Sequence, residues 1–422
     1  MTSRPPFLSR RDTLKLLGAA PVAAAAVTAG PRTRGVAAQD TTEVRLTSAP
    51  SSPAEQRVLE GLLQEFMAAN PSISVAYEPV TAEYDTKLQT DLAAGTAADI
   101  FAYDSLPAPD LMQAGVLEPM GERLSEAQVD TADFFPGLIE AFTYEDELYG
   151  VPKDFSTLGM VYDPAAFEAA NVTAVPTTWD ELRAAAEAIT EAQGSPAIVY
   201  GPNFDRYIAF LYQAGGAVIN EDRSEIVLNS PEALTALQYY HGLYTDGLAA
   251  TYTDVGAQWP GDAFSKDQAA IVFEGPWLIG FMAENAPDKA YEIAELPAGP
   301  AGKATMAFTV AYGINANSEV KDEAFQVISY LTGVEGMTKW STGFGVLPSR
   351  PAVADAYLAE FPRRVGFLNG GEYARPWQLG PGGTRFSANA NAELQGLFAG
   401  QLTPEQALEN MQSRAEQDIR LD

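Results

Sequence analysis

From Val44 to Tyr103 the sequence changes its hydrophobic period four times, and that rhythm leaves few folds open. Val44-Arg45-Leu46-Thr47 reads as a strand. A helix follows, with Leu59, Leu62, Leu63, Phe66 and Met67 spaced to share one buried face, and Asn70-Pro71 stops it. Ile73, Val75 and Tyr77 then alternate as a second strand, an amphipathic helix covers about residues 83–94, and Asp99-Ile100-Phe101-Ala102-Tyr103 reads as a third, buried strand. Strand-helix-strand-helix-strand is the pattern of a parallel sheet covered by helices. Ligands of such sheets gather beyond the carboxyl ends of the strands. That rule points to the loop starting near Ser48 and to Tyr103-Asp104-Ser105.

A second region opens near Gly150-Val151-Pro152, with strand-like Gly159-Met160-Val161-Tyr162. Thr178-Trp179-Asp180-Glu181 has the spacing of a capping box, in which hydroxyl and carboxylate satisfy each other's orphan amides. Trp179, just inside that helix start, reads as a packing residue. Ser230-Pro231 begins another helix, with Ser as cap and Pro in the first turn. Strands are expected at 269–273 and 291–296, and amphipathic helices at 322–331, 389–398 and 404–419. With 422 residues, 46% of them hydrophobic, the chain can bury two cores without covalent staples.

Residues 1–38 are set apart from that fold. A basic stretch containing Ser9-Arg10-Arg11-Asp12-Thr13-Leu14-Lys15 precedes an apolar, alanine-rich run from Leu16 to Ala29 and a small-residue site, Val36-Ala37-Ala38. This is the layout of an export signal, and the paired arginines are similar to a twin-arginine signal. The expected location is therefore periplasmic or extracellular. There is no cysteine in the sequence, which removes disulfides, thiolate metal sites, a cysteine nucleophile and a lipid anchor through cysteine. His241 is the one histidine, so a histidine metal cage is excluded, and no metal or cofactor is expected. Beyond residue 38 there are 20 basic and 55 acidic residues, a balance of −35. Such a surface repels nucleic acid and anionic lipid.

Several stretches, in order, resemble the carbohydrate-type extracellular solute-binding proteins of ABC importers, the family that includes maltose-binding protein. Tyr84-Asp85-Thr86-Lys87-Leu88 running to Ala97-Ala98-Asp99-Ile100 is similar to the family's second helix and following strand. Gly150-Val151-Pro152-Lys153-Asp154 through Val161-Tyr162-Asp163 resembles its first interlobe crossing. Phe264-Ser265-Lys266-Asp267-Gln268-Ala269-Ala270-Ile271 leading to Gly275-Pro276-Trp277, then Leu347-Pro348-Ser349-Arg350, then Gly400-Gln401-Leu402-Thr403-Pro404 continue the match. The resemblance implies a type II periplasmic-binding-protein fold of two discontinuous α/β lobes that close on ligand about a hinge. The expected first lobe is 40–151 plus 311–355, and the second is 156–306 plus 360–422. It also implies a non-enzymatic, monomeric binder that delivers a solute, expected to be a carbohydrate, to the permease subunits of an ABC importer.

A sugar presents apolar ring faces and a rim of hydroxyls, so its binder needs aromatic plates and fixed polar groups. Trp277 and Trp377 are the expected plates, each weighed against a packing role at a helix start or in a loop. Tyr103, Asp104 and Ser105 at one strand end, and Asn203 and Asp205 after another, are expected polar contacts, with helix capping as the alternative. Asp154 beside the crossing and Glu274 before the Gly-Pro-Trp turn join them, as do Ser48, Tyr84 and Trp259. No catalytic residue is expected. The competing readings are the same trap for a polyamine, a glycerol phosphate or another small solute, and a secreted glycoside hydrolase, for which paired carboxylates suffice.

Overall fold

The three strands at the start of the chain lie side by side. In the computed structural model, which describes residues 41–421, β1 (Thr42–Ser48) pairs in parallel with β2 (Ile73–Pro79) and with β3 (Ile100–Asp104). The expected export signal at 1–38 lies outside the described residues. The connecting helix Pro53–Ala69 starts where Ser52 accepts the Glu55 amide and ends at Asn70. Its Leu59, Leu62, Leu63 and Phe66 are buried, as their spacing requires.

A small hairpin, β4 (Thr143–Tyr144) and β5 (Glu147–Leu148), precedes the long strand β6 (Val151–Thr157). The second sheet contains β7 (Gly159–Tyr162), β8 (Ile198–Tyr200), β9 (Ala249–Thr251), β10 (Ile271–Glu274) and β11 (Glu292–Glu295), in the order β11-β7-β10-β8-β9. Strands β9, β8 and β10 run parallel, while β7 is antiparallel to both its neighbours. Finally β12 (Thr305–Ile314) returns to the first sheet: its end pairs antiparallel with β3, its start pairs in parallel with β13 (Ala374–Pro376), and β6 lies along most of its length.

The cores show how the two sheets are used. One apolar cluster covers the first sheet and draws on residues between Val44 and Val151 and between Ala311 and Val353. Another packs one face of the second sheet, from Leu158 to Met306 and from Trp377 to Ile419. A third covers the other face of the second sheet and takes in Phe135, Leu138, Phe155, Leu347 and Tyr357. Strands β6 and β12 belong to the first sheet, β6 leads directly into β7 of the second, and their register shifts between Val310 and Ala311, the mark of a bulge.

Two local expectations need correcting. Thr178 does cap its helix, but the Glu181 carboxylate accepts from the Thr177 amide and hydroxyl rather than completing the box. The full reciprocal box forms instead at Thr403 and Gln406. The helix expected from 389 begins at Gly383 (Gly383–Phe398). Trp179 packs as expected, stacked 4.2 Å from Tyr239 with its N–H on Gln213.

Candidate functional site

Strand β12 links the two sheets, and one of its faces is only partly covered by the cores. Ala307 and Thr309 are buried, whereas Phe308 and Val310 alternate with them and stay half-exposed. Val310 pairs with Asp104, the last residue of β3. Phe308 meets two tryptophans of the second sheet's side, Trp277 at 5.7 Å and Trp377 at 5.9 Å between ring centroids. Phe308 and Val310 thus form a floor with Asp104 at one edge and an aromatic pair at the other.

On the first side, Asp104 follows four buried residues and is itself exposed. Surrounding protein nevertheless crowds round it. This burial, followed by repulsion from Asp85 and Asp154 and opposed by Lys153, pushes its carboxyl up to about 6. Neighbouring groups support the strand ends. Ser48 is buried and shares a 2.9 Å hydrogen bond with the Tyr77 hydroxyl. Tyr84 donates its phenol to the carbonyl of Ala102 at 2.6 Å and also reaches that of Thr47, pinning its helix to two strands. Ser105 is buried, with its N–H on the Thr309 carbonyl at 3.0 Å. Tyr103 points the other way from Asp104, as successive strand residues must. It is buried against Phe142, Gly150 and Gly313, which places it in the first core and corrects its expected place at the cleft.

On the second side, Trp277 opens the helix Trp277–Asn285 just beyond β10 and is 38% exposed, although most large apolar side chains here are covered. Its N–H donates to the Glu274 carboxylate at 2.7 Å. Glu274 has no exposure, and also accepts from Arg206 at 2.9 Å. Arg206 in turn pairs with Asp205 at 2.6 Å and holds its guanidinium 5.2 Å from the Trp277 ring. Burial raises the Glu274 carboxyl above the ordinary carboxylate range, and the nearby guanidinium and indole N–H offset only part of this. Asn203 sits at the start of the helix Phe204–Gln213 without a side-chain cap bond. The Phe204 amide instead donates to Asn391 at 2.7 Å.

Two expected plates take packing positions. Trp377 is 8% exposed, wedged between Phe204 and Phe308, so it backs the aromatic floor rather than offering a free face. Trp259 stands edge-on to Phe281 at 4.9 Å and lies over Gly261, against the apolar cluster on the other face of the second sheet. Asp154 is buried beside the crossing, accepting from Lys153 at 2.5 Å and from the Trp340 indole at 2.9 Å. Lys153 also reaches Glu55 at 3.4 Å. Burial alone would lower the Lys153 pKa, but the two carboxylates outweigh it and hold the ammonium charged.

Sequence reasoning missed Arg206 and Phe308. Nothing local marks Arg206, since its partner Glu274 is 68 residues away. Phe308 carried a weak signal in the alternation of its crossing strand. Among the described residues, no group of three histidine, aspartate or glutamate side chains is placed to hold a metal ion. An aromatic face flanked by fixed carboxylates and a guanidinium suits binding of a polyhydroxylated solute.

Comparison with known proteins places this geometry. Residues 49–338 match the family model described as bacterial extracellular solute-binding protein. A Brucella abortus protein, named only as a binding protein, is 27% identical over 89% of this chain and 93% of its own length. An ABC substrate-binding protein of Listeria monocytogenes, solved with cycloalternan, superposes with a TM-score of 0.77 at 25% identity, covering 90% of this chain and 99% of that one. A solute-binding protein of Thermotoga lettingae bound to alpha-D-tagatose gives a TM-score of 0.74 at 26% identity, covering 89% and 99%. The architecture is that of the two-lobed periplasmic binding proteins. With more than half its length matched, the chain belongs to the bacterial extracellular solute-binding protein family.

Proposed function

We propose that this protein is the extracytoplasmic binding component of an ABC importer and takes a sugar or short oligosaccharide into the cleft floored by Phe308 and Val310. Trp277 is the stacking plate. Asp104, Asp205, Glu274 and Arg206 order the hydroxyl rim, Arg206 and Glu274 chiefly by fixing the indole. Ser48, Tyr84, Ser105, Asp154 and Asn203 act behind them, as supports of the strand ends that carry the site. The first lobe is 40–151 plus 311–355 and the second is 156–306 plus 360–422, with β6, β12 and a third segment in the 350s as crossings. Export through the signal at 1–38 and delivery as a monomer to a membrane permease complete the reading.

The observation that carries it is the exposure of Trp277 beside the fully buried Glu274. A tryptophan face left open, with its edge locked by a charged partner, is a costly arrangement for a packing residue and a useful one for a ring-shaped ligand. The relatives add weight, since some bind cycloalternan, tagatose or, in a Pyrococcus abyssi protein 26% identical over 58% of this chain, maltotriose.

A thermal-shift screen of mono- and oligosaccharides, polyamines and glycerol phosphates tests this. Stabilisation by a sugar, with the sugar recovered uncleaved, is the expected outcome. Stabilisation by a polyamine alone would move the reading to a cationic cargo held by Asp85 and Asp104. Cleavage of the sugar would replace the binder by an enzyme.

A further inference from the structure

The helix Ala108–Gln113 begins four residues after Asp104 and is anchored in the first core by Ala108 and Met112. Its Asp110 points across to the second core. Both carboxylate oxygens accept from the Gly382 amide, at 3.1 and 3.2 Å, and one also accepts from the Arg420 guanidinium at 2.9 Å. Gly382 is the N-cap of the helix Gly383–Phe398, whose Phe386 and Ala390 lie in the second core. Next to this contact Leu106, also from the first side, packs on the second core, 3.7 Å from the side-chain position of Gly383.

The receiving surface is built to leave that amide free. Gly382 has φ 84° and a Cβ there would stand 1.9 Å from the Asp418 carbonyl, so no other residue fits. Arg420 is fixed by its own backbone, whose N–H donates to the Pro381 carbonyl at 2.9 Å. A carboxylate at the start of a 16-residue helix meets unpaired amides and the positive end of its dipole. It needs no such partner to fold its own short helix, which carries no side-chain cap bond at all.

We propose that Asp110 with Gly382 and Arg420 is a latch that holds the cleft shut, so that Asp110 sets the affinity for solute without touching it. This rests on the reading of the molecule as a hinged solute trap. Asp110 moves with one core and Gly382 with the other, so rotation about β6 and β12 that opens the mouth must break the contact. Every fold by which the latch favours the closed form is gained in apparent affinity as long as the open form predominates without solute.

The test uses the absence of native cysteine. Spin labels on Thr86→Cys and Glu409→Cys, both exposed and one beside each core, report the distance between the lobes by electron double resonance, without solute and across a titration with maltotriose. Asp110→Ala and Arg420→Ala should each shift the closed-to-open ratio toward open by about 3- to 10-fold, the range expected for an exposed charge-assisted contact at a helix start. Asp110→Asn, which keeps an acceptor for Gly382, should fall between Asp110→Ala and wild type. Circular dichroism melts check that the variants fold, and the two alanine variants act on opposite sides of the contact. An unchanged closed-to-open ratio in both overturns the latch whether or not maltotriose binds. A shifted ratio without any response to maltotriose would leave the latch standing and count against the sugar reading alone.

Discussion

The indole N–H of Trp277 donates to Glu274 at 2.7 Å, so the exposed tryptophan of the site is held by a carboxylate that solvent does not reach. Only Gly275 and Pro276 separate them in sequence, and that turn brings the later side chain back over the earlier. A Cβ on Gly275 would lie 2.3 Å from the Trp277 ring, so the ring can lie back only because that residue is glycine. The orientation of the indole is therefore set locally.

Trp277→Ala is expected to weaken solute binding by about 1–3 kcal/mol, the usual contribution of a stacked aromatic. Its fold should survive, because the ring is already exposed. Titration calorimetry and a thermal melt of the same sample separate the two effects. Unchanged affinity would return Trp277 to a packing role.

Glu274→Gln acts on stability first. The amide can still accept from the indole, but it leaves the Arg206 guanidinium with only the half-buried Asp205 as a charged partner. Removing one member of a buried ion pair costs about 3–5 kcal/mol, readable as a lower urea midpoint. A midpoint equal to wild type would mean that Arg206 is satisfied elsewhere.

Asp104 predicts a pH dependence with a definite sign. Its folded pKa of about 6 lies above the unfolded value near 4, so the folded protein binds the extra proton. Its contribution to stability is fully present below about pH 4 and is lost as the pH rises through about 6. Solute affinity should run the opposite way, because the ionised carboxylate is the stronger acceptor for hydroxyl groups. Asp104→Asn should flatten both profiles between about pH 4 and 7, measured by melts and by titration at each pH. Profiles of the same slope in the variant would assign the titration to another group.

Lys153→Met leaves Asp154 and Glu55 buried without their ammonium, at an expected cost of about 3–5 kcal/mol. The loss should shrink as the pH falls, since the buried Asp154 carboxyl, already raised by burial and now without its ammonium, takes up a proton more readily in the folded state than in the unfolded one. Urea midpoints of wild type and variant at neutral and mildly acidic pH provide the comparison.

Much of the architecture was legible because period and caps are local. The leucines of Pro53–Ala69, the Ser230 cap and the strand that carries Ile73, Val75 and Tyr77 fall where sequence spacing puts them. The site was legible only in part. A strand end tells where a ligand gathers but not which of two successive residues faces it, so the sequence does not separate Tyr103 from Asp104, which the pleat sends apart. Trp377, in a run of Gly and Pro, carried no sign of the Phe204 and Phe308 rings that cover it. Arg206 depends on a partner 68 residues away, and the helix start at Gly383 is masked by glycines whose role is set by Asp110 and Asp418 in other parts of the chain.

Titration calorimetry of the protein and of Trp277→Ala against linear and cyclic oligosaccharides is the most direct test of a sugar held on that indole. Saturable one-site binding to a sugar that is recovered intact, weakened about 5- to 150-fold in the variant, is the expected result. No heat with any sugar, or equal affinity in the two proteins, would contradict it.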